Sequence, residues 1–330
     1  MKIVAYGEIM MRLSPLENTS LKDATVLDAC YGGTESNVLV ALSHLGNKTS
    51  FVSKVPNNSL GEGVKRHLLR HEVGVEHLIL DGAMLGIYFL EPGFGPLPSK
   101  VTYHRKNAVV NTLLEDDLNY DEIFKDASWF HVTGISLAIS KNSKDVSLRL
   151  CKEAKKRNVK VSFDFNYRST LWTKEEAKEV YKEIMQYVDV CFGNLYDINT
   201  FMDINENNEL DSINRFLESY NVNYLLNTNR KIINASTQSL KASIYYRNNN
   251  KVEVLTTNEE TFEVLDRIGG GDAFVAGVIH ILNKDYSNIK EAIELGLKCD
   301  VLKHFVKGDV LALSKKEIEE FVNVSKDVIR

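Results

Sequence analysis

Asp272 follows directly on three consecutive glycines, Gly269, Gly270 and Gly271, and precedes a run of small and apolar residues. Glycines ahead of a helix let the backbone approach a ligand closely, and their N–H groups together with the helix dipole favour an anion. A carboxylate at Asp272, in the first turn of that helix, would face the anion and accept a proton from an attacking hydroxyl. The segment therefore indicates phosphoryl transfer. The alternative is an ordinary glycine turn in which Asp272 only caps the helix.

A second glycine pattern lies near the N-terminus, where Gly32 and Gly33 are followed by Asn37 and by a helical run that ends before Gly46. Two glycines and an amide at the start of a helix can contact a polyhydroxy ligand through backbone and side-chain groups. The alternative is a glycine turn and a helix with a C-terminal glycine.

Two further segments combine aromatic and cationic side chains. Asp164–Arg168 follows a predicted strand, and ligands of α/β proteins bind beyond the carboxyl ends of strands. Arg168 can hold a carboxylate through two parallel hydrogen bonds. Tyr103–Arg105, with Tyr88 upstream, offers aromatic and guanidinium groups that can cover a sugar. Each segment is equally compatible with a surface loop.

The elements that must position these residues alternate between short β-branched runs and segments of helical period, which predicts a parallel sheet with helices on both faces. The predicted strands are Lys2–Tyr6, Ser50–Val55, Trp129–Thr133, Val159–Asp164, Val188–Phe192 and Val222–Leu226. The predicted helices are Glu35–Leu45, Leu60–Glu72, Lys144–Arg157, Glu175–Tyr187, Ala273–Leu282, Ile289–Phe305 and Lys315–Val328. Met11–Tyr31 and Leu85–Arg105 break the alternation, and we expect them to form a small accessory sheet.

The composition limits the classes of function. The 330 residues are 44% hydrophobic, which is enough to bury a large core. A formal net charge of -5 and the lack of a Lys/Arg block argue against a nucleic-acid partner. The four cysteines are too widely spaced for a paired zinc-ligand motif, which favours reduced thiols. Neither a signal peptide nor an apolar run of membrane-spanning length is visible, so we expect a cytoplasmic protein without a membrane partner.

The two glycine segments and the two segments with aromatic and cationic side chains, taken together, resemble those of the ribokinase-like (PfkB) carbohydrate kinases. The resemblance covers nearly the whole chain. Within that family it is closest to the 2-keto-3-deoxygluconate kinases. Those carry a glycine-rich segment like the one at Gly32, a Tyr-x-Arg like that at Tyr103, and an Asp-Arg-x-Gly-Gly-Gly-Asp signature like that at Asp266.

The resemblance implies a ribokinase-like, Rossmann-type three-layer α/β sandwich with a small β lid. The α/β kinase core would comprise residues 1–10, 32–84 and 106–330, and the lid residues 11–31 and 85–105. It also implies that ATP, with Mg²⁺, phosphorylates the terminal 6-hydroxyl of 2-keto-3-deoxygluconate. A homodimer or higher homo-oligomer, formed through the lid, is a further expectation.

The same resemblance assigns roles to individual residues. It makes Asp272 the catalytic base and places an anion hole at Gly269, Gly270 and Gly271. The sugar-acid site would consist of Gly33, Asn37, Tyr88, Tyr103, Arg105, Ile135, Arg168 and Asp309. The nucleotide would contact Asn194, Asp197, Asn227, Gly269 and Gly271.

Two departures from the family pattern concern the nucleotide site. Many members have Glu where this chain has Asp197, and Asp is shorter by one methylene. Many also have a glycine-containing loop after the strand that corresponds to Val222–Leu226, where this chain has Asn227–Arg230. Arg230 would replace backbone contacts with a charged one.

Two other functions remain open at this point: a kinase for a neutral sugar, and a non-catalytic sugar-binding regulator on the same fold. The pair Arg105 and Arg168 favours an acid substrate. The intact Asp272 and its glycines favour catalysis.

Overall fold

A computed structural model describes residues 1–16, 19–249 and 251–323. The strands are β1 (Lys2–Tyr6), β2 (Met10–Pro15), β3 (Leu27–Gly32), β4 (Lys48–Val55), β5 (Val73–Gly74), β6 (Leu78–Leu80), β7 (Ile87–Glu91), β8 (Lys100–His104), β9 (Ala127–Thr133), β10 (Lys160–Asp164), β11 (Val190–Phe192), β12 (Tyr224–Asn234), β13 (Thr237–Asn248), β14 (Lys251–Thr256) and β15 (Glu260–Glu263). The helices are α1 (Thr34–His44), α2 (Ser59–Arg70), α3 (Tyr120–Ile123), α4 (Gly134–Ala138), α5 (Lys141–Lys156), α6 (Lys174–Met185), α7 (Leu195–Phe201), α8 (Glu209–Tyr220), α9 (Gly270–Lys284), α10 (Ile289–Lys303) and α11 (Lys315–Asn323).

The central sheet has the strand order β14-β13-β12-β11-β10-β9-β1-β4-β5. Neighbouring strands from β12 to β5 run parallel, whereas β13, β14 and β15 pair antiparallel. Strand β1 shows why the parallel part reads as a continuous apolar run. Ile3 and Ala5 pack in the core on one face, and Val4 and Tyr6 pack in the core on the other. Both faces of the sheet are therefore covered.

Helices form the outer two layers. Apolar side chains of α1, α2, α9 and α10 pack on the face of Ile3, and those of α5, α6, α7 and α8 pack on the face of Val4. The predicted three-layer α/β fold is confirmed. Within residues 1–16, 19–249 and 251–323, none of the helices has the length and apolar character that a bilayer crossing requires.

A separate four-stranded sheet has the order β3-β2-β7-β8. It forms from the two stretches that break the strand–helix alternation, in agreement with the expected accessory sheet. Arg12, on β2, connects this sheet to the loop before α9 and to the loop after α10. Its guanidinium lies 2.7 Å from Asp266 and 2.8 Å from Asp309, and all three side chains are buried. The division of the chain into a kinase core and a lid stays a prediction.

The sequence prediction was wrong about Asn227–Arg230. Instead of forming a loop after a strand that ends at Leu226, these residues continue β12, and Asn227 pairs with Ser243 and Arg230 with Leu240 of β13. Polar residues alone gave no strand signal, and the pairing comes from a partner strand that follows in sequence. The predicted C-terminal helix Lys315–Val328 begins as α11, and its part beyond Asn323 lies outside the described residues.

Candidate active site

A cavity of about 340 Å³ lies between the carboxyl ends of the parallel strands and the small sheet. The sequence-predicted catalytic and sugar-site residues all line it: Gly33, Asn37, Tyr88, Tyr103, Arg105, Ile135, Arg168, Gly269, Gly270, Gly271, Asp272 and Asp309. Five of its lining residues also line a wider groove of about 760 Å³ beside β8: Val101, Tyr103, Arg105, Ile135 and Arg168. The fold therefore brings together side chains that are far apart in sequence.

The glycine run forms the start of α9. Gly269 has a φ of 85°, and a Cβ there would lie 1.9 Å from the carbonyl oxygen of Asp309, so both conformation and space require glycine. A Cβ at Gly271 would meet no atom within 4 Å, which means that this residue borders open space. The first N–H groups of a helix have no intrahelical acceptor. The geometry therefore provides amides that can bind an anion in the cavity.

Asp272 lies in the first turn of α9, where the side-chain amide of Asn37 donates a 2.7 Å hydrogen bond to its Oδ2 atom. The Asn37 amide is itself oriented, because its oxygen accepts a 3.2 Å bond from the Gly33 N–H. Burial raises the pKa of Asp272 to about 8, and the Asn37 bond opposes that shift. A carboxylate whose pKa is near the working pH suits a general base.

The two arginines predicted to hold an acid differ in their surroundings. Arg105 forms an ion pair with Glu8, whose side chain is buried. Burial raises the pKa of Glu8, and the Arg105 charge opposes this. Arg168 donates to the backbone carbonyls of Asn166 and Tyr167, at 3.4 Å and 3.1 Å. Among the described residues, no carboxylate forms an ion pair with Arg168, so its charge is available to a ligand.

Asp309 and Tyr88 bond to each other rather than pointing freely into the cavity. The Tyr88 hydroxyl donates to Asp309 Oδ2, and Arg12 Nη1 donates to Asp309 Oδ1 at 2.8 Å. Tyr103 is different, because its side chain is 47% exposed and its ring centroid lies 5.9 Å from that of Tyr88. Tyr103 is therefore the aromatic ring that is open to a sugar.

A third cavity, of about 610 Å³, adjoins the first on the nucleotide side predicted from the sequence. Asn194 and Asn227 line it, and Arg230 lines both this cavity and the one that contains Asp272. Asp197 lines neither cavity. Its Oδ2 atom accepts a 2.9 Å bond from the Asn194 N–H at the start of α7, and a direct nucleotide contact for Asp197 stays a prediction.

Comparison with known proteins assigns the chain to a family, since residues 1–316 match the pfkB family carbohydrate kinase profile. The chain belongs to the PfkB family of carbohydrate kinases. It is 30% identical over 322 residues to a 2-dehydro-3-deoxygalactonokinase of Haloferax volcanii, covering 96% of this chain and 95% of that one. It is 27% identical to the probable fructokinase-6, chloroplastic, of Arabidopsis thaliana, over 96% of this chain and 80% of the relative.

A solved structure gives the same family. The crystal structure of 2-dehydro-3-deoxygluconokinase from Thermotoga maritima superposes with a TM-score of 0.91 at 33% identity, covering 98% of this chain and 100% of that one. The ribokinase-like fold is thereby established for this PfkB kinase. Kinases of the family use ATP together with a metal ion.

The acidic residues of this PfkB kinase fit a magnesium ion held mainly by phosphate and water. Burial raises the pKa of Asp164 to about 7; the Arg168 charge opposes this shift, and the nearby Asp197 charge adds to it. Mg²⁺ in kinase sites takes one or two carboxylates besides phosphate oxygens. Within the described residues no cluster of three or more His, Cys, Asp or Glu side chains forms a cage for a metal.

Sequence reasoning missed several residues of the kinase site. Glu35 is buried and accepts hydrogen bonds from the Thr133 N–H, the Thr133 hydroxyl and the Ser136 hydroxyl, at 3.1, 2.7 and 2.7 Å. These bonds hold the start of α1 against the end of β9. Glu35 stands within the segment from Gly32 to Asn37 that carries the family resemblance, but no role was predicted for it. Glu8 did carry a signal, because it stands just beyond the end of β1.

Proposed function

We propose that this PfkB kinase phosphorylates the terminal 6-hydroxyl of 2-keto-3-deoxygluconate, with ATP as the phosphate donor and Mg²⁺ as the metal. The observation that carries the proposal is that one cavity contains both the candidate base Asp272 and the guanidinium of Arg168, which has no carboxylate partner in the described part of the chain. An acid substrate can supply that partner. Two of the relatives described above are named as kinases of 2-dehydro-3-deoxy sugar acids.

The proposed reaction uses this chain's own groups as follows. The substrate hydroxyl oxygen attacks the γ-phosphorus of ATP and forms a new P–O bond, while its proton moves to the Asp272 carboxylate. The bond from the γ-phosphorus to the β,γ-bridging oxygen breaks, and its electron pair leaves with ADP. Asn37 holds Asp272 in place, and the amides of Gly269–Gly271 stabilise charge on the phosphoryl oxygens.

Magnesium, when bound, neutralises phosphate charge and orients the phosphates for in-line attack. Asp164, which lines the cavity, and Asp197 near it are the residues that would hold the ion, and a bound cation would favour the ionised form of Asp164, whose pKa burial raises. No step of the proton transfer depends on these two carboxylates.

The acidity of Asp272 predicts the pH dependence of kcat/KM. The base must be ionised, and burial raises its pKa to about 8. Below that pH the protonated form dominates, so kcat/KM is expected to rise with pH and to level off above about 8. The measurement is kcat/KM from pH 6 to 9.5, with melting curves at each pH to exclude unfolding. A profile that is flat between pH 6 and 8 would contradict the proposed acidity.

Replacing Arg168 tests the acid-binding proposal. Arg168→Gln is expected to raise KM for the sugar acid by roughly ten- to a hundred-fold and to leave KM for ATP within a few-fold, since a charge-assisted hydrogen bond is lost. Arg105→Gln is expected to have a smaller effect on KM and to lower the melting temperature, because it leaves Glu8 buried without its cation.

A matched control for these variants is Arg66→Gln, which removes an exposed arginine of α2 that lines none of the three cavities. Steady-state kinetics should include fructose as a neutral acceptor. Normal KM for the acid in Arg168→Gln would eliminate the proposed carboxylate contact.

The alternative is a kinase for a neutral sugar. It is favoured by the ion pair of Arg105 with Glu8, which leaves Arg168 as the one predicted clamp arginine without an ion pair among the described residues. The relative named as a fructokinase favours it as well. A coupled ADP-release assay over both 2-keto-3-deoxy acids and neutral sugars separates the two kinases. A non-catalytic regulator would release no ADP with any of them.

Two further proposals concern the protein in solution. A homodimer through the small sheet is supported by β8, whose residues are all exposed and include Val101 and Tyr103. A cytoplasmic location agrees with the family's small-molecule substrates.

A further inference from the structure

Two arginines interact electrostatically beside the glycine run that begins α9. Arg267 immediately precedes Ile268 and the glycine run, and Arg230 projects from β12. Both line the cavity that contains Asp272, and Arg230 also lines the neighbouring one. Among residues 1–16, 19–249 and 251–323, neither guanidinium has an ion-pair or hydrogen-bond partner, in contrast to the paired Arg12 and Arg105.

The two charges are close enough to repel each other. Burial lowers the pKa of Arg267, and the positive charge of Arg230 lowers it further. Arg267 is half-buried, so water screens this repulsion incompletely. A half-buried cation beside a second one is unfavourable unless an anion joins them. The arrangement therefore suits a ligand that carries several negative charges.

The surrounding groups supply that charge only in part. Asp300 lies beneath the glycine run, where a Cβ at Gly270 would be 2.4 Å from its Oδ1 atom, and its side chain is buried. Burial raises the pKa of Asp300 to about 7, against the opposing charge of Arg230. His304 is adjacent, and burial lowers its pKa to about 4, so it is neutral at physiological pH.

The position of the pair identifies the anion. Both arginines border the same cavity as the open face of Gly271 and the base Asp272, and Arg230 also borders the nucleotide-side cavity. The group that passes from nucleotide to hydroxyl at this place is the γ-phosphoryl group, whose charge spreads over three equatorial oxygens during transfer. Arginine binds phosphate oxygens through two parallel N–H groups.

We propose that Arg230 and Arg267 bind the γ-phosphoryl group of ATP together with the glycine amides and stabilise it during transfer. The proposal rests on the phosphotransferase function proposed above. It assigns Arg230 to the reacting phosphate rather than to the remainder of the nucleotide. The two guanidiniums take no part in breaking or forming bonds, and the proton still moves to Asp272.

The test compares Arg230→Gln and Arg267→Gln with the control Arg66→Gln. Titration calorimetry with Mg²⁺ measures the affinity for ADP and for the non-hydrolysable analogue AMP-PNP, and it needs no sugar. In each cavity variant we expect AMP-PNP affinity to fall about ten- to a hundred-fold and ADP affinity to stay within about two-fold. With the best acceptor, kcat is expected to fall on the order of 10²-fold or more. Arg267→Lys should recover part of the loss, because lysine restores the positive charge but not the two parallel N–H donors of a guanidinium.

The outcomes distinguish the γ-phosphoryl proposal from the proposal that the substrate is a sugar acid. If only neutral sugars support ADP release, the sugar-acid proposal fails while the calorimetry still decides the role of the arginines. Equal weakening of ADP and AMP-PNP would overturn the γ-phosphoryl assignment, because both ligands share the remainder of the nucleotide. Unchanged affinities and kcat in variants with normal melting curves would overturn it as well.

Discussion

Asp272→Asn is expected to lower kcat by about 10²–10⁴-fold, the usual worth of general acid–base catalysis. Asn keeps the shape of the side chain and caps a helix about as well as Asp, so the fold of α9 should persist. It removes only the proton acceptor. If Asp272 merely caps the helix, turnover should remain nearly normal. Steady-state kinetics paired with thermal melting distinguishes these cases, and turnover within a few-fold of the parent enzyme would refute the base assignment.

The same variant should not lose stability. The folded-state pKa of Asp272, about 8, lies above the ordinary value of 3.8. The contribution of this carboxyl to the free energy of unfolding is therefore fully present below about pH 3.8 and is lost as the pH rises through about 8. Above that pH, Asp272→Asn is expected to melt at or above the temperature of the parent. Asp116→Asn, at an exposed position, is the control.

Arg12→Met is expected to cost about 3–5 kcal/mol of unfolding free energy, the largest effect on stability that we anticipate. The substitution leaves the carboxylates of Asp266 and Asp309 buried without their shared cation. Methionine fills most of the volume, so the loss reports on charge rather than on a cavity. Chemical denaturation at pH 7 gives the free energy, provided that the slope of its denaturant dependence is unchanged.

A second variant makes the origin of this loss explicit. Adding Asp266→Asn to Arg12→Met removes one of the two orphaned charges and should recover part of the stability. A loss below about 1 kcal/mol for Arg12→Met alone would mean that the ion pairs behave like exposed ones. The double variant would then show no recovery.

The parts of the molecule that were predictable from the sequence carry local signals. Strand β1 was predicted at its observed bounds because an apolar run precedes Gly7, and the glycines before Asp272 predicted a turn into a helix, which is α9. The predicted sugar-site residues line one cavity because most of them stand close to a strand end, a helix start or a strand of the small sheet, whereas Asp309 lies in the loop after α10.

Other parts depend on pairing across long stretches of chain. Arg12 and Asp309 are 297 positions apart, and no local pattern indicates that they meet. The polar extension of β12 through Asn227 and Arg230 is a strand only because β13 pairs with it. Arg105 and Arg168 look alike in the sequence, where both are typical of exposed cations. In the described structure Arg105 forms an ion pair with Glu8 and Arg168 forms none, a difference that only the folded neighbours create.

The anchoring of β2 by Arg12 has a consequence for how a substrate reaches the cavity. An outward movement of the whole small sheet would separate the Arg12 guanidinium from two buried carboxylates. Such a movement therefore costs a large amount of free energy. Among the described residues the outer strand β8 forms no buried ion pair of its own, although Arg105 directly after it pairs with Glu8. Strand β8 borders the wide groove that shares Tyr103 and Arg168 with the cavity. The small sheet is therefore fixed to the core at β2, and the groove beside β8 is the open side through which we expect a sugar to reach the cavity.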